Sequence, residues 1–260
     1  MSILKKRQAL SLALFLCLPA LGQAMCLAQG DIFPGTVSRV VDGDTVHLKD
    51  GRKIRLIGVN TPELDHQHGK HEAFAVAAKE RLMALIPDNV VYWQAAQEDE
   101  DHYGRKLYYL FTKDRASISS QLLSDGLGYR IAIPPNLKYQ DCFDQAEQEA
   151  RVAQRGVWQH PPSWQPQAGF TVARPIITSV THNRGGWWLE TEWDLVINLP
   201  PSAEHLWTEK EVFFLQGEAV EVRGWQYQRK NRKSDRFKSN VLTVKHPLDL
   251  RRIDPSQRRH

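Results

Sequence analysis

Three short strand-like runs near the start of the chain place the strongest constraint on its fold. They cover residues 35–41, 45–48 and 53–59, and the turn sequences Asp42-Gly43-Asp44 and Lys49-Asp50-Gly51 separate them. Runs rich in β-branched residues and bounded by Asp and Gly turns are typical of antiparallel strands. The pattern therefore predicts a three-stranded meander.

A helical periodicity follows this meander. Apolar residues recur at spacings of three and four over residues 72–86, which predicts an amphipathic helix that Pro87-Asp88-Asn89 ends. Further along, the patterns predict strands at residues 90–93 and 106–111 and helices at residues 118–123 and 139–153. Strands followed by separated helices indicate an α+β domain.

A proline-punctuated segment at residues 160–166 divides the 260-residue chain. Beyond it, short tryptophan-containing runs with turn signals predict a smaller, mostly-β domain, either a small barrel or a sandwich. The predicted strands are residues 176–180, 187–190, 195–199, 211–215, 219–225 and 240–244. We therefore expect one domain at residues 30–160, a linker at residues 161–169 and a second domain at residues 170–254.

The first residues have the layout of a secretory signal. Lys5-Lys6-Arg7 precedes an apolar run at residues 9–21, and Gly22-Gln23-Ala24 offers small residues at a cleavage site. The apolar run is shorter than the roughly 18–20 residues that span a bilayer. We predict a signal peptide at residues 1–24 and a periplasmic or secreted protein with no stable membrane span after its removal. An uncleaved anchor and a buried helix are the alternatives.

Two cysteines, Cys26 and Cys142, would remain after removal of this signal. In an oxidising compartment they can form a disulfide, provided that their Cα atoms come within about 7 Å of each other. The sequence leaves a disulfide and two unrelated thiols equally open.

Positive charge is concentrated at the C-terminal end. The whole chain carries a formal net charge of +4, whereas residues 221–260 contain twelve Lys and Arg against four Asp and Glu. Such asymmetry favours an anionic partner, either nucleic acid or an anionic membrane surface. The hydrophobic fraction of 42% and the charged fraction of 25% argue against a wholly disordered chain or a multi-pass membrane protein.

Three motifs in the first domain carry the residue types that phosphodiester cleavage requires. They are Asp42-Gly43-Asp44-Thr45, the segment from Arg55 to Thr61-Pro62-Glu63, and Asp101-His102-Tyr103-Gly104-Arg105. Carboxylates can hold a hard cation that activates water, and Arg can donate two parallel hydrogen bonds to a phosphate. Each motif alone is more often a plain turn or loop. The specificity lies in their order, with a predicted helix between the second and the third.

In this order the motifs resemble the staphylococcal nuclease (thermonuclease) family over residues 35–158. The resemblance implies an OB-type five-stranded β-barrel with three helices. It also implies that Asp44 binds calcium, Arg55 contacts phosphate, Glu63 aligns or deprotonates the attacking water, and Arg105 stabilises the charged transition state. We expect these four side chains to converge around one phosphate. The second domain faintly resembles a small OB-type barrel.

The chain departs from the staphylococcal enzyme at Asn60, where that enzyme carries an aspartate that also binds the cation. An amide oxygen can bind calcium but contributes no negative charge. We therefore expect weaker or altered binding of Ca²⁺ or a similar divalent cation, with Asp44, Asn60 and the Thr61 carbonyl as ligands and Asp42 in support. A transition-metal site in the following loop is the less favoured alternative, with His66, His68 and His71 as its ligands.

Two groups of residues are candidates for binding nucleic acid. Tyr103 and Tyr129 are the aromatic residues best suited to stack a base. Basic residues bracket a predicted hairpin with Trp225, Tyr227 and Phe237 among them; they include Arg223, Arg229, Lys230, Arg232 and Lys233. A solvated hairpin whose charges only protect a sheet edge is an equally open alternative.

The favoured function is a calcium-dependent endonuclease, a phosphodiester hydrolase that cleaves DNA or RNA outside the cytoplasm. The first alternative is a noncatalytic nucleic-acid-binding module with a decayed metal site. The second is an envelope scaffold whose basic tail contacts anionic lipid. Arg55, Glu63 and Arg105 favour the enzyme, because binding alone would not require all three.

Overall fold

The computed structural model describes residues 26–65, 69–160, 162–229 and 237–254. The predicted signal peptide at residues 1–24 lies outside these residues. Among the described residues, no helix combines the length and the apolar character that crossing a bilayer requires.

The first part of the chain forms a closed five-stranded barrel with the strand order β1-β2-β3-β6-β5. β3 and β6 are parallel, and the other neighbouring strands are antiparallel. β4 and β7 form a separate short ladder beside the barrel. The strands are β1 (Phe33–Val40), β2 (Thr45–Leu48), β3 (Lys53–Leu56), β4 (Val59–Asn60), β5 (Val90–Glu100), β6 (Lys106–Phe111) and β7 (Tyr129–Arg130). The predicted meander and the predicted barrel are confirmed.

Three helices pack around the barrel, as predicted: α1 (Ala75–Ala84), α2 (Ile118–Ser124) and α3 (Gln140–Val152). α1 begins later than the apolar periodicity indicated, because Phe74 adopts a left-handed conformation with φ of 68°. The α2 helix is capped by Ser117, whose hydroxyl accepts a hydrogen bond from the backbone N–H of Ser120. All three helices contribute apolar side chains to the buried face of this domain.

A disulfide joins Cys26 to Cys142, with a Cα–Cα distance of 5.9 Å. It ties the segment before β1 to α3, and Cys26 belongs to the barrel's hydrophobic core. Of the two possibilities that the sequence left open, the structure has the disulfide.

The second part of the chain forms one seven-stranded sheet rather than a second closed barrel. Its main path runs β14-β12-β13-β11-β10-β9, and β8 pairs with β12. Its strands are β8 (Gly169–Ala173), β9 (Ile177–Asn183), β10 (Gly186–Thr191), β11 (Leu195–Leu199), β12 (Val220–Gln228), β13 (Asn240–Thr243) and β14 (Leu250–Arg252). A separate hydrophobic cluster packs against this sheet. A mostly-β second domain is therefore present.

One predicted strand of this domain is wrong. Residues 211–215 were expected to be extended, whereas a short helix, α4 (Glu209–Phe213), covers most of them. Thr208 and Glu211 form a capping box, in which each side chain accepts a hydrogen bond from the backbone N–H of the other residue. This reciprocal pairing stabilises the first turn of a helix, so it outweighs the strand-like composition of the segment.

Buried ion pairs fix the second sheet against the barrel domain. Arg223 of β12 donates to Glu147 of α3 at 2.7 Å and to the carbonyl oxygen of Arg130 at 2.8 Å. Arg151 of α3 donates in the other direction to Glu221 of β12, at 2.6 and 2.9 Å. Glu147 and Glu221 are at most 2% exposed. Buried charges are tolerated only when they are paired in this way, so the second sheet and the barrel domain share a specific interface.

Candidate active site

The turn between β1 and β2 packs tightly against the rest of the site. A Cβ atom on Gly43 would lie 2.6 Å from the Cβ of Ala78 in α1 and 2.7 Å from Oγ1 of Thr61. Only glycine allows this approach. Oδ1 of Asp42 accepts a hydrogen bond from the backbone N–H of Asp44 at 3.0 Å, which closes the turn.

Asp44 lies at the centre of the site and is buried. Its Oδ2 accepts hydrogen bonds from the backbone N–H of Thr61 at 2.8 Å and from the Thr61 hydroxyl at 3.1 Å. The same oxygen pairs with Nη2 of Arg55 at 3.1 Å. The first and second sequence motifs are therefore joined by direct contacts.

Arg55 of β3 points away from the barrel core, which receives its neighbours Ile54 and Leu56 as strand alternation predicts. Its Nη1 donates to the carbonyl oxygens of Leu56 at 2.6 Å and Val59 at 2.9 Å. Its Nη2 donates to Oδ1 of Asn60 at 2.9 Å as well as pairing with Asp44. The guanidinium group is thus held rigidly beside the predicted metal ligands.

Glu63 follows this cluster on the loop after β4. Its backbone N–H donates to Oε2 of Glu72 at 2.9 Å, and the N–H of Glu72 donates to the Glu63 carbonyl oxygen at 3.1 Å. Partial burial, and then the charges of Asp44 and Asp42, raise the pKa of Glu63 to about 7, although Arg55 opposes this shift. A carboxylate with a pKa near neutrality suits general-base catalysis.

Arg105 is held in the loop between β5 and β6 by Asp101. Oδ1 of Asp101 accepts from the backbone N–H groups of Tyr103 and Arg105, each at 2.9 Å, and its Oδ2 accepts from Nε of Arg105 at 2.8 Å. The guanidinium carbon lies 5.5 Å from the centre of the Tyr103 ring. Among the described residues, the guanidinium bonds only through Nε, so its two terminal amino groups are available to a phosphate.

The predicted catalytic residues open into two neighbouring cavities. One, of about 560 Å³, is lined by Arg55, Tyr103 and Arg105. The other, of about 480 Å³, is lined by Asn60, Thr61, Pro62, Glu63, Glu72 and Tyr129 among others. The bond between Arg55 and Asn60 links the residues of the first cavity to those of the second. Arg55 and Arg105 therefore line one cavity and Glu63 the other, and Asp44 contacts Arg55 and Thr61 between them. The convergence of the four side chains on one phosphate, and their roles, stay predictions.

The donor atoms around Asp44 suit a hard cation. Burial and then the neighbouring Asp44 raise the pKa of Asp42 to about 6, and the pKa of Glu63 is raised in the same way. Burial is the largest cause of both shifts and the neighbouring carboxylates add to it, so a divalent cation bound here would lower both pKa values. Carboxylate and amide oxygens are ligands that calcium accepts.

The metal ligands are nevertheless not arranged as a ready cage. Within residues 26–254, as far as they are described, no group of three or more His, Cys, Asp and Glu side chains is placed to hold a metal. Asn60 uses its Oδ1 to accept from Arg55, and Asp44 accepts from Thr61 and Arg55. His71 is exposed, and His66 and His68 lie outside the described residues.

The two tyrosines predicted to bind nucleic acid differ in exposure. Tyr103 is 73% exposed beside Arg105 and can receive a base. Tyr129 borders the Glu63 cavity, but its ring is packed between Trp158 and Phe170, at 5.2 and 5.7 Å. Burial raises the pKa of its hydroxyl to about 12.

The predicted basic hairpin is only partly described. Lys230, Arg232 and Lys233 lie outside the described residues. Arg229 packs over the rings of Trp188 and Phe237, at 5.3 and 5.6 Å, and lines neither cavity. Arg223, one of the candidates, is 3% exposed and pairs with Glu147 and Glu221, so its charge is used inside the protein and it is not part of a solvated hairpin.

Sequence reasoning missed the part of the site that comes from the second sheet. Trp225 borders both cavities, Phe170 borders the second and Lys245 the first. No local motif marks these three residues as neighbours of Glu63 and Arg105. The only available signal was the mixture of aromatic and basic residues around β12.

Comparison with known proteins agrees with this site. The sequence profile of the family described as staphylococcal nuclease homologue matches residues 53–160. The thermonuclease of Staphylococcus intermedius is 34% identical over 126 residues, which cover 47% of the chain and 74% of that relative. The chain belongs to the staphylococcal nuclease family.

Other relatives of this family member agree. Endonuclease YncB of Bacillus subtilis is 33% identical over 129 residues, covering 47% of the chain and 60% of that protein. An uncharacterized endonuclease of Escherichia coli is 28% identical over 127 residues, covering 48% of the chain and 76% of that protein. The family profile ends at residue 160, so the second sheet lies outside it.

Proposed function

We propose that the chain is a calcium-dependent endonuclease that hydrolyses DNA or RNA outside the cytoplasm. Its family membership makes it a nuclease, that is, a phosphodiester hydrolase with a nucleic acid as substrate. The calcium dependence and the export are proposed in addition to this family-level function.

The observation that carries the proposal is the bridge made by Arg55. One guanidinium nitrogen, Nη2, contacts both Asp44 Oδ2 and Asn60 Oδ1, so the acidic turn and the loop leading to Glu63 form a single charged unit. Binding of nucleic acid would not require carboxylates in this position, because they repel phosphate. A hydrolytic site does require them, to hold a cation and to activate water.

The residues divide the chemistry between them. Glu63 takes the proton of the attacking water, for which it must be ionised, and the bound cation would favour the ionised carboxylate. Arg55 and Arg105 stabilise the charge that develops on the phosphate oxygens. Asp44, Asn60 and the Thr61 carbonyl would hold the cation, which supplies Lewis-acid polarisation of the phosphate when bound. Asp42 orients the Asp44 backbone through its own carboxylate.

The test is cleavage of a single-stranded oligonucleotide by the purified chain with calcium and with a chelator. We expect cleavage only with the cation. Glu63→Gln should slow it by about a hundredfold or more, since loss of a catalytic proton acceptor typically costs 10²–10⁴-fold. Glu80→Gln is the matched control, because Glu80 is an exposed residue of α1 away from the site. Equal rates for both variants would refute the role of Glu63.

One observation favours a second candidate, a noncatalytic nucleic-acid-binding module. The side-chain oxygen of Asn60 accepts a hydrogen bond from Arg55, and Asn60 offers a cation no negative charge. In that case the chain would bind oligonucleotides but leave them intact with calcium, magnesium and manganese alike. Cleavage with any of these ions would exclude this candidate.

The disulfide supports the proposed export. A bond between Cys26 and Cys142 persists in oxidising compartments and is rare in the cytosol. Sequencing the N-terminus of the protein recovered from the extracytoplasmic fraction tests the proposal. We expect a start close to residue 25, whereas a chain that retains Met1 in the cytosolic fraction would contradict it.

A further inference from the structure

The second sheet contributes one wall of both active-site cavities. Trp225 of β12 borders the cavity of Arg55 and Arg105 and also the cavity of Glu63. It is the residue of the second sheet that the two cavities share. Any substrate strand that runs from one cavity to the other would therefore pass its indole ring.

The Trp225 ring is an exposed platform with firm support. It is 46% exposed, whereas its strand neighbours Gly224 and Gln226 are buried. The rings of Trp225 and Phe170 of β8 pack edge to face, with centroids 5.4 Å apart at 72°. Phe170 in turn contacts Tyr129 of the barrel domain at 5.7 Å. A row of aromatic rings thus leads from the barrel domain to the exposed indole.

The domain interface fixes this platform relative to the catalytic residues. Arg223 lies two positions before Trp225 on β12 and donates to Glu147 of α3 and to the Arg130 carbonyl oxygen. Arg130 belongs to β7, which pairs with Asn60 and Val59. The position of the indole is therefore set by the strand that carries the predicted metal ligand.

We propose that Trp225, which lies outside the part of the chain that matches the family, stacks on the base of a nucleotide next to the scissile phosphate and so adds affinity for an unpaired strand. The proposal rests on the proposed nuclease function. Base stacking on an aromatic ring needs an unpaired base with an open face, which a duplex does not offer. Exposed Lys245, which lines the same cavity as Arg105, adds the positive charge that follows a single-strand backbone.

The test compares three variants on single-stranded and duplex oligonucleotides of the same sequence. Trp225→Ala should raise KM for the single strand by about 5- to 150-fold, the range of one base stack, with kcat nearly unchanged. Trp225→Phe should restore most of the affinity, because it keeps an aromatic face. Phe214→Ala is the matched control: Phe214 is another aromatic residue of the second domain, is 61% exposed and lines neither cavity.

Oligonucleotides with a single abasic position identify the stacked base. In the parent chain one abasic position beside the cleavage site should raise KM, and in Trp225→Ala the same position should have no further effect. An unchanged KM and an unchanged preference for single strands in Trp225→Ala would overturn the proposal. So would an effect of equal size in Phe214→Ala, or a change in oligomeric state that accounts for the loss, since the indole would then cover an interface.

Binding separates this proposal from the proposed function. The affinity of Glu63→Gln for a fluorescent single-stranded oligonucleotide can be measured with and without the Trp225→Ala change. A tryptophan-dependent affinity together with a parent chain that cleaves nothing would support the stacking and refute the hydrolysis. Cleavage without tryptophan dependence would refute the stacking alone.

Discussion

Replacing Arg223 tests whether the buried ion pairs fix the two domains together. Arg223→Met removes the charge but keeps much of the side-chain volume. The substitution removes the hydrogen bonds that Arg223 donates to Glu147 at 2.7 Å and to Glu221 at 2.8 Å. Both carboxylates stay buried, and removing one partner of a buried ion pair costs about 3–5 kcal/mol of unfolding free energy. Glu147 and Glu221 keep Arg151 as a partner, so we expect the lower end of this range.

Thermal unfolding followed by circular dichroism measures the effect. For a chain of this size, about 3–5 kcal/mol corresponds to a Tm lower by roughly 6–20 °C. Arg252→Met is the control, because Arg252 pairs with Glu218 at 3.0 Å but its side chain is 61% exposed. An exposed pair contributes about 0–1 kcal/mol. If Arg223→Met lowered Tm no more than Arg252→Met, the interface would not depend on this network.

Three further outcomes follow from the fold. Burial raises the pKa values of Glu147 and Glu221, but the surrounding arginines outweigh it and hold both below the ordinary 4.5. Their contribution to stability is therefore complete above pH 4.5 and is lost as pH falls. Between pH 7 and pH 3, Tm should fall less steeply in Arg223→Met than in the parent, and equal slopes would contradict this. Gly43→Ala should destabilise the chain by about 1–3 kcal/mol in urea titrations, because its Cβ would clash with Ala78 and Thr61; an unchanged midpoint would show that the turn can move. Reduction of the disulfide should lower unfolding free energy by about 4–5 kcal/mol, the value for a closed loop of roughly a hundred residues, and parent-like stability after reduction would refute that contribution.

The barrel domain was largely predictable from sequence. Its strands follow from runs bounded by Asp and Gly turns. The direction of the Arg55 side chain, away from the core, follows from its alternation with Ile54 and Leu56. These are local signals. That the strands close into a barrel was predicted from the order of the motifs, through the family resemblance. The contact between Asp44 and Thr61 joins residues 17 positions apart, which only that family pattern indicated.

The second domain shows where local signals fail. The composition of residues 211–215 favoured a strand, and the Thr208 capping box decided for a helix. Arg223 belonged to a basic cluster in sequence, yet two buried glutamates, one of them 76 positions away, determine its role. Trp225 borders the two cavities because the two domains pack together. Residue spacing within either domain does not predict that contact.

Glu63 and Arg105 line different cavities, and the proposed mechanism requires them to act on the same phosphate. The most direct measurement is the cleavage rate of one oligonucleotide by the parent, by Glu63→Gln, by Arg105→Ala and by the double variant, all with calcium. We expect each single change to slow cleavage by about a hundredfold or more. Groups that act on one transition state are non-additive, so the double variant should lose much less than the product of the two losses. Losses that multiply in full, or parent-like rates in either single variant, would show that the two residues do not act on one phosphate.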